Sequence, residues 1–438
     1  MRILWIVNIT MPDASEKLGM ARPNIGGWLT GYQDALLQMH GQEVELHIVQ
    51  PALIGSPCQL TTGDAQQVTQ VTHHIFPHSW LQSAYAFTAK PSSRLSPLSN
   101  QLASYLIQVN ADVKPEVVHI HGSEFPHSLA WIEACGCEHT LVSIQGLTSV
   151  YARYYMAGLT HQEQRPTFHD RRYRCSLARM QQELANRGES ERLLLQKVTH
   201  VAGRTSWDYS HALAINPSAV YHTLQEVLRQ EFYDTAYQWQ LERCQRHTIF
   251  VSQSHYPIKG LHKLLEAMPL VLRRYPDAQL RIVGNDPTCK RWWQRTTYAN
   301  ILRKRISACP GLSQHITYLG SLSASQMAEE YRKAHVFICP SAIENSSNSA
   351  CEAQLLGTPV VASYVGGLMD LVSHEYSGLL YRFEETEMLA EQICRIFADD
   401  TLAQRLSEGA RSAASIRHSR EDIAHTLYNI YREVTDGS

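Results

Sequence analysis

The chain has 438 residues, with 39 Lys+Arg against 41 Asp+Glu for a formal charge of −2. Apolar residues make up 44% and charged ones 18%, which excludes a disordered polyelectrolyte and leaves no excess of cations for nucleic-acid phosphates. No run approaches the roughly 18 apolar residues of a membrane span, and at about 150 residues per domain the length suits two large α/β domains or three smaller ones.

Residues 3–9 read as a buried first strand and not as a leader, because Pro12 and Asp13 follow with no small-residue cleavage pattern. A helix is expected over 28–40 and a second strand over 44–49. Further short β-branched runs at 117–121, 141–145 and 199–203, bounded by glycines and separated by helix-length segments, predict βαβ units and a parallel sheet. Residues 151–197 are helical in period and rich in arginine (Arg153, Arg165, Arg171, Arg172, Arg174, Arg179). They read as a surface helical insertion.

Residues 216–246 carry no clean period and read as a linker. After it a second series begins, with strands at 248–252, 280–284, 316–319, 336–339, 359–362 and 378–381. Helices are expected at 261–274, 292–307, 323–333, 349–356 and 386–397. The domain assignment is therefore 1–215 with the insertion near 151–197, linker 216–246, second domain 247–416, and a last helical segment 417–438. Two doubly wound domains facing one another across a cleft are the natural architecture, with ligands at the carboxyl ends of the strands.

The ten cysteines are scattered from Cys58 to Cys394, which suits reduced thiols and a cytoplasmic protein. Cys135 and Cys137 near His139 lack a second pair at metal spacing, and no H-E-x-x-H or D-x-D occurs. No metal site or bound cofactor is expected.

Four constellations fall at strand ends. Glu344 and Glu352 flank a Ser/Asn-rich turn into a helix start, where free amides and the helix dipole attract phosphate; Ser349-x-x-Glu352 also fits a capping box. Lys259-Gly260 follows Gln253 at the next helix start, where a lysine can reach a diphosphate. Gly26-Gly27, after Asn24-Ile25, lets backbone approach a ligand without matching G-x-G-x-x-G. His121 ends a strand on the same face as His119.

Together with Tyr318-Leu319-Gly320-Ser321-Leu322, the LLGTPVVASYVGG run and the Ser377-Gly378-Leu379-Leu380 turn, these motifs resemble the retaining GT-B glycosyltransferases of glycosyltransferase family 4. The ENSSNSACEAQLLG variant and Ser143–Leu147 are similar to the branch found among bacterial capsule and O-antigen assembly enzymes. The resemblance implies a GT-B fold and a nucleotide-diphosphate sugar as donor. It implies that Glu352 holds the ribose and Glu344 the donor sugar, with Asn348 and Ser349 beside them at the helix start. Lys259 and the Gly26-Gly27 amides would meet the diphosphate, the base would rest near Leu319, and His121 would line the reacting centre. It implies sugar transfer with retained configuration and without a metal, to a carbohydrate or lipid-linked acceptor.

One departure stands out: Gln253 occupies the place where the family usually has an arginine. Arg204, expected at a strand end, is the candidate substitute cation. The Tyr151–Arg192 stretch could touch the inner membrane surface or be an ordinary solvated face. A nucleotide-sugar epimerase of the same fold, or a catalytically silent nucleotide-sugar-binding subunit, are the other readings.

Overall fold

The computed structural model describes residues 1–21, 26–63, 70–80, 97–253 and 255–436, with the side chains of 97–100 and 126 left aside. Its Cα packing divides the chain into two units: Met1–Val150, Glu183–Val227 and His418–Ser438 form the first, Tyr151–Gln182 and Leu228–Arg417 the second.

In the first unit β1 (Arg2–Ile6) leads through α1 (Pro12–Lys17) and α2 (Gly27–His40) to β2 (Glu45–Ala52), β3 (Cys58–Thr62) and β4 (Val71–Pro77). Then follow α3 (Pro97–Val113), β5 (Val117–His121), α4 (Pro126–Cys135), β6 (Thr140–Ser143) and α5 (Thr148–Tyr154). The chain passes through α6 (Phe168–Tyr173), which belongs to the second unit, and the long α7 (Leu177–Lys197) before β7 (His200–Gly203), α8 (Ser206–Ile215) and β8 (Val220–Thr223) finish the sheet. Its order is β3-β4-β2-β1-β5-β6-β7-β8. Only β3 runs antiparallel, against β4.

Residue alternation along β1 explains the layering. Ile3 and Trp5 enter one core with Leu29, Tyr32 and Leu36 of α2. Leu4 and Ile6 enter the other with Leu102 and Leu106 of α3 and Trp131 of α4. A strand buried on both faces reads as a continuous apolar run, and each such side chain contributes about 1.5–3 kcal/mol on burial.

The second unit has β9 (Thr248–Val251), α9 (Leu261–Arg274), β10 (Gln279–Ile282), α10 (Thr297–Ala308), β11 (Ile316–Tyr318), α11 (Ala324–Lys333) and β12 (Val336–Cys339). It continues with α12 (Asn348–Leu356), β13 (Val360–Ser363), α13 (Leu368–Leu371), β14 (Leu379–Tyr381), α14 (Thr386–Ala398) and α15 (Asp400–Arg417). The order β11-β10-β9-β12-β13-β14, all parallel, is that of the doubly wound dinucleotide-binding sheet. The last helix, α16 (Arg420–Asp436), packs on α2 in the first unit.

Two expected boundaries are corrected. Residues 216–246 are not a linker: Val220–Thr223 is a strand paired with β7, and the division falls between Val227 and Leu228. The burial pattern of VYHT is that of a half-exposed edge, so it lacks the apolar run that announces a central strand. Past the division, Trp239 is buried, donating its indole N–H to the Ala334 carbonyl at 2.7 Å. The 151–197 stretch is no insertion of the first domain either, because residues 151–182 pack in the second unit. Polar ties hold them there: the Asp170 carboxylate accepts the Thr297 backbone N–H at 2.9 Å, and Glu163 pairs with Arg305 at 2.5 Å. The polar strand β3 and the histidine-bearing β4 lay outside the expected elements as well.

Candidate functional site

In the second unit β9 and β12 are neighbours, Phe250 opposite Phe337, although two strands separate them in the chain. The connections that follow them leave in opposite directions, which opens a crevice at their carboxyl ends. Gly260 decides how closely the two loops approach. Its φ is +71°, and a Cβ there would stand 1.7 Å from the Pro340 carbonyl oxygen; any L side chain would force the loops apart. The Ala342 N–H then donates to the Ile258 carbonyl at 2.7 Å.

This approach brings Lys259 Nζ to Glu344 Oε1 at 2.5 Å. Glu344 also accepts from Ser341 Oγ at 2.8 Å. Its main chain is clamped from a third loop: the Gly367 N–H donates to the Glu344 carbonyl at 3.0 Å, and a Cβ on Gly366 would lie 2.0 Å from that oxygen. The Asn345 N–H donates to the Tyr151 hydroxyl at 3.1 Å. Burial pulls the Lys259 ammonium down, but the Glu344 carboxylate more than reverses this and raises it above its ordinary value. A permanently charged cation therefore sits at the crevice, over the Tyr256 ring at 5.9 Å.

Glu352 lies on α12, and the capping-box alternative fails. The N-cap is Ser347, whose Oγ accepts the Ala350 N–H. The buried Glu352 carboxylate instead accepts from Arg229 at 2.8 and 3.1 Å and from the Tyr331 hydroxyl at 3.3 Å. Burial pushes its carboxyl up, with Arg229 pulling the other way. At the start of α12, Ser349 accepts from the Tyr331 hydroxyl through its carbonyl at 3.0 Å, while the buried Oδ1 of Asn348 has no hydrogen-bond partner among the described residues. Leu319 follows β11, its N–H on the Ile282 carbonyl at 2.8 Å. Gln253 is exposed just past β9. Lys259, Glu344, Asn348, Ser349 and Glu352 thus all belong to the loops and helix starts after β9 and β12.

The first unit repeats this topology with different chemistry. β1 and β5 are the neighbours here, Ile6 opposite Ile120, and β5 ends on His121. That ring is buried against Trp5 at 4.7 Å, Trp28 at 5.5 Å and His119 at 3.7 Å. Neither ring nitrogen has a hydrogen-bond partner among the described residues. Burial, helped by His119, drives its pKa well down, so it is a neutral imidazole. His119 differs: it bonds the Tyr431 hydroxyl and Ser143 Oγ, both at 2.7 Å. Tyr431 also accepts from the Trp5 indole at 2.8 Å, so α16 braces the strand that carries His121. Beyond it, Ser123 Oγ and Glu124 Oε2 are buried without hydrogen-bond partners among the described residues, and burial raises the Glu124 carboxyl to about 7. Gly26, in the left-handed region, is the N-cap of α2, which begins at Gly27; Asn24 and Ile25 lie outside the described residues.

Arg204 follows β7 as expected. It is buried, faces Glu226 at 2.5 Å and donates to the Gln145 carbonyl at 2.7 Å. The sequence reading missed Arg229, placed in the supposed linker, together with Tyr331, Ser341 and Tyr151. Only Ser341, directly after a strand, had a positional signal.

Residues 245–399 match the family model described as glycosyl transferases group 1. The match covers the sheet and every residue of the charged crevice except Arg229 and Tyr151. Among curated proteins, a D-inositol 3-phosphate glycosyltransferase of Corynebacterium urealyticum is 30% identical over 40% of this chain and 41% of its own length. A GDP-mannose-dependent phosphatidylinositol monomannoside mannosyltransferase of Mycobacterium tuberculosis is 25% identical over 43% of this chain and 48% of its own. The chain thus spans less than half the length of these relatives in its matches. Solved structures agree over the full length: sucrose-phosphate synthase from Thermosynechococcus elongatus has a TM-score of 0.69 at 17% identity, covering 100% of both chains. HepE from Anabaena, in complex with UDP, has a TM-score of 0.63 at 14% identity over 99% of this chain and 100% of that one. The fold is GT-B, two Rossmann-like parallel-sheet domains.

Proposed function

We propose that this chain is a retaining, metal-independent glycosyltransferase that moves a sugar from a nucleotide-diphosphate donor to an acceptor hydroxyl. The observation that carries the reading is the Lys259–Glu344 pair, set at 2.5 Å at the topological switch point of the sheet that matches the group 1 glycosyl transferases. HepE in complex with UDP and a GDP-mannose-dependent relative support a nucleotide-sugar donor.

Cleavage of the anomeric carbon–oxygen bond leaves an oxocarbenium-like sugar and places negative charge on the departing nucleoside diphosphate. Lys259 and the amides at the start of α12 stabilise that charge without reorganising, which favours the transition state over the ground state. Glu344, already hydrogen-bonded to Lys259, accepts from the sugar hydroxyls. Glu352 accepts from the ribose hydroxyls, with Arg229 opposing the upward push of burial on its carboxyl, and the base lies against backbone near Leu319. The acceptor attacks the face that the leaving group vacates, and a leaving phosphate oxygen takes its proton. The acceptor is a carbohydrate or lipid-linked glycan of bacterial surface polysaccharide assembly on the cytoplasmic side.

The deciding experiment incubates the full chain with UDP-, GDP- and ADP-sugars and candidate acceptors in EDTA. Acceptor-dependent nucleotide release, with the anomeric configuration preserved by NMR, supports the reading. Conversion of the donor sugar without acceptor points to an epimerase, and nucleotide binding without release points to a silent subunit; either outcome overturns it.

A further inference from the structure

The second unit carries a patch that the donor chemistry does not use. The 3-10 turn Trp292–Gln294 and α6 pack against each other and share an outer surface of exposed aromatics. Trp292 is 64% exposed, Tyr173 63%, Phe168 58% and Trp293 40%. Isolated exposed apolar residues are ordinary, but four large rings on two adjoining segments are not. The same segments carry Arg171, Arg172, Arg174, Lys290 and Arg291, all exposed. The guanidinium of Arg291 covers the Trp293 ring at 5.3 Å and that of Arg172 the Tyr173 ring at 5.9 Å.

The single acid within 168–174 is Asp170, and 289–297 contains none. Asp170 is buried, and its carboxylate is spent on the Thr167 and Thr297 backbone N–H groups at 3.0 and 2.9 Å. Thr167 Oγ1 donates in turn to the Arg295 carbonyl at 2.9 Å. Local negative charge therefore stitches the two segments together from beneath and leaves only positive charge on the outside. In a chain of net charge −2, this is a strong local asymmetry.

We infer that this face docks on an anionic lipid bilayer. The chemistry matches that surface in two respects. Tryptophan and tyrosine settle at the headgroup level, where one edge is apolar and the other wet. Arginine and lysine lay their stems along the apolar side and place their charge among lipid phosphates. The strength of such binding scales with the apolar area buried at the interface plus the electrostatic attraction to anionic lipids. No helix among the described residues is long and apolar enough to cross a membrane.

The test is flotation of the full chain with phosphatidylglycerol vesicles and with phosphatidylcholine vesicles, at low and high salt. Wild type floats with phosphatidylglycerol, and binding weakens as salt screens the cations. The double variant Trp292→Ala/Trp293→Ala loses at least tenfold in partition. Arg171→Gln, Arg172→Gln and Arg174→Gln each lose about fivefold. Thermal melting of each variant within a few degrees of wild type shows that the fold is kept. Equal flotation with both lipids, variants that bind like wild type, capture by dextran sulfate but not by vesicles, or loss of only a self-associated species in sedimentation would each overturn the assignment.

Discussion

The two units use one topology and furnish its switch point in opposite ways. At the carboxyl ends of β9 and β12 every charge has a partner: Lys259 with Glu344, and Arg229 with Glu352. At those of β1 and β5 stand a buried neutral imidazole at His121 and a carboxyl at Glu124 raised by burial to about 7, each with atoms that have no hydrogen-bond partner among the described residues. The backbone arrangement only makes a crevice. Side chains decide whether that crevice presents fixed charge, suited to a diphosphate, or neutral hydrogen-bonding groups, suited to hydroxyls.

This contrast can be broken most directly at Lys259. Lys259→Ala leaves a buried Glu344 carboxylate without its cation, which costs about 3–5 kcal/mol of stability and raises the transfer barrier by about 2–4 kcal/mol. The double variant Lys259→Met/Glu344→Gln recovers most of the stability and none of the turnover. Urea unfolding and nucleotide-release rates measure the two effects separately, and a fully active Lys259→Ala enzyme would refute a charge-driven crevice.

Acid sharpens the comparison next. Burial lowers His119 to about 3 and His127 to about 4 in the first unit, and His262 and His335 to about 4 in the second. A histidine depressed in the folded state stabilises it above the unfolded pKa near 6.5, and that stability is lost as the pH falls toward the folded value. Each such group gives up about 3 kcal/mol between pH 6.5 and 4. Urea midpoints should therefore fall steeply over this window; a flat profile would mean that these rings are hydrated.

Tyr431→Phe removes the hydroxyl shared by the Trp5 indole and His119, leaving buried polar groups unpaired at a cost of about 2 kcal/mol. Because it loosens the support of His121, turnover should fall more than donor affinity. Calorimetry and a split of kcat from KM test both. Glu124 responds with the opposite sign. An acid raised in the folded state, here from 4.5 to about 7, loses stability as pH climbs from about 4.5 through 7, so Glu124→Gln should be more stable at pH 8 by about 3 kcal/mol and unchanged at pH 4. A variant equally destabilised at both values would show that the carboxyl is structurally required.

Strands such as Val117–His121 and Val336–Cys339, and helices such as Leu261–Arg274, were legible to the residue because burial on two faces or on one stripe leaves a local period. That Lys259, Glu344 and Glu352 follow strand ends was legible as well, because the flanking runs are local. Half-exposed β8 and polar β3 were not, since an edge strand needs no apolar run. Nor was Arg229, whose partner Glu352 stands 123 residues away, or the pairing of Arg204, whose strand end was correctly placed, with Glu226.

What this sequence determined by itself was the alternation of strands and helices and the residue types at their ends, because both are written in neighbouring positions. Which of those ends meet, and which charges they cancel on meeting, was decided only in three dimensions. Strand order and a glycine such as Gly260, which lets two loops touch, select partners that no local pattern records.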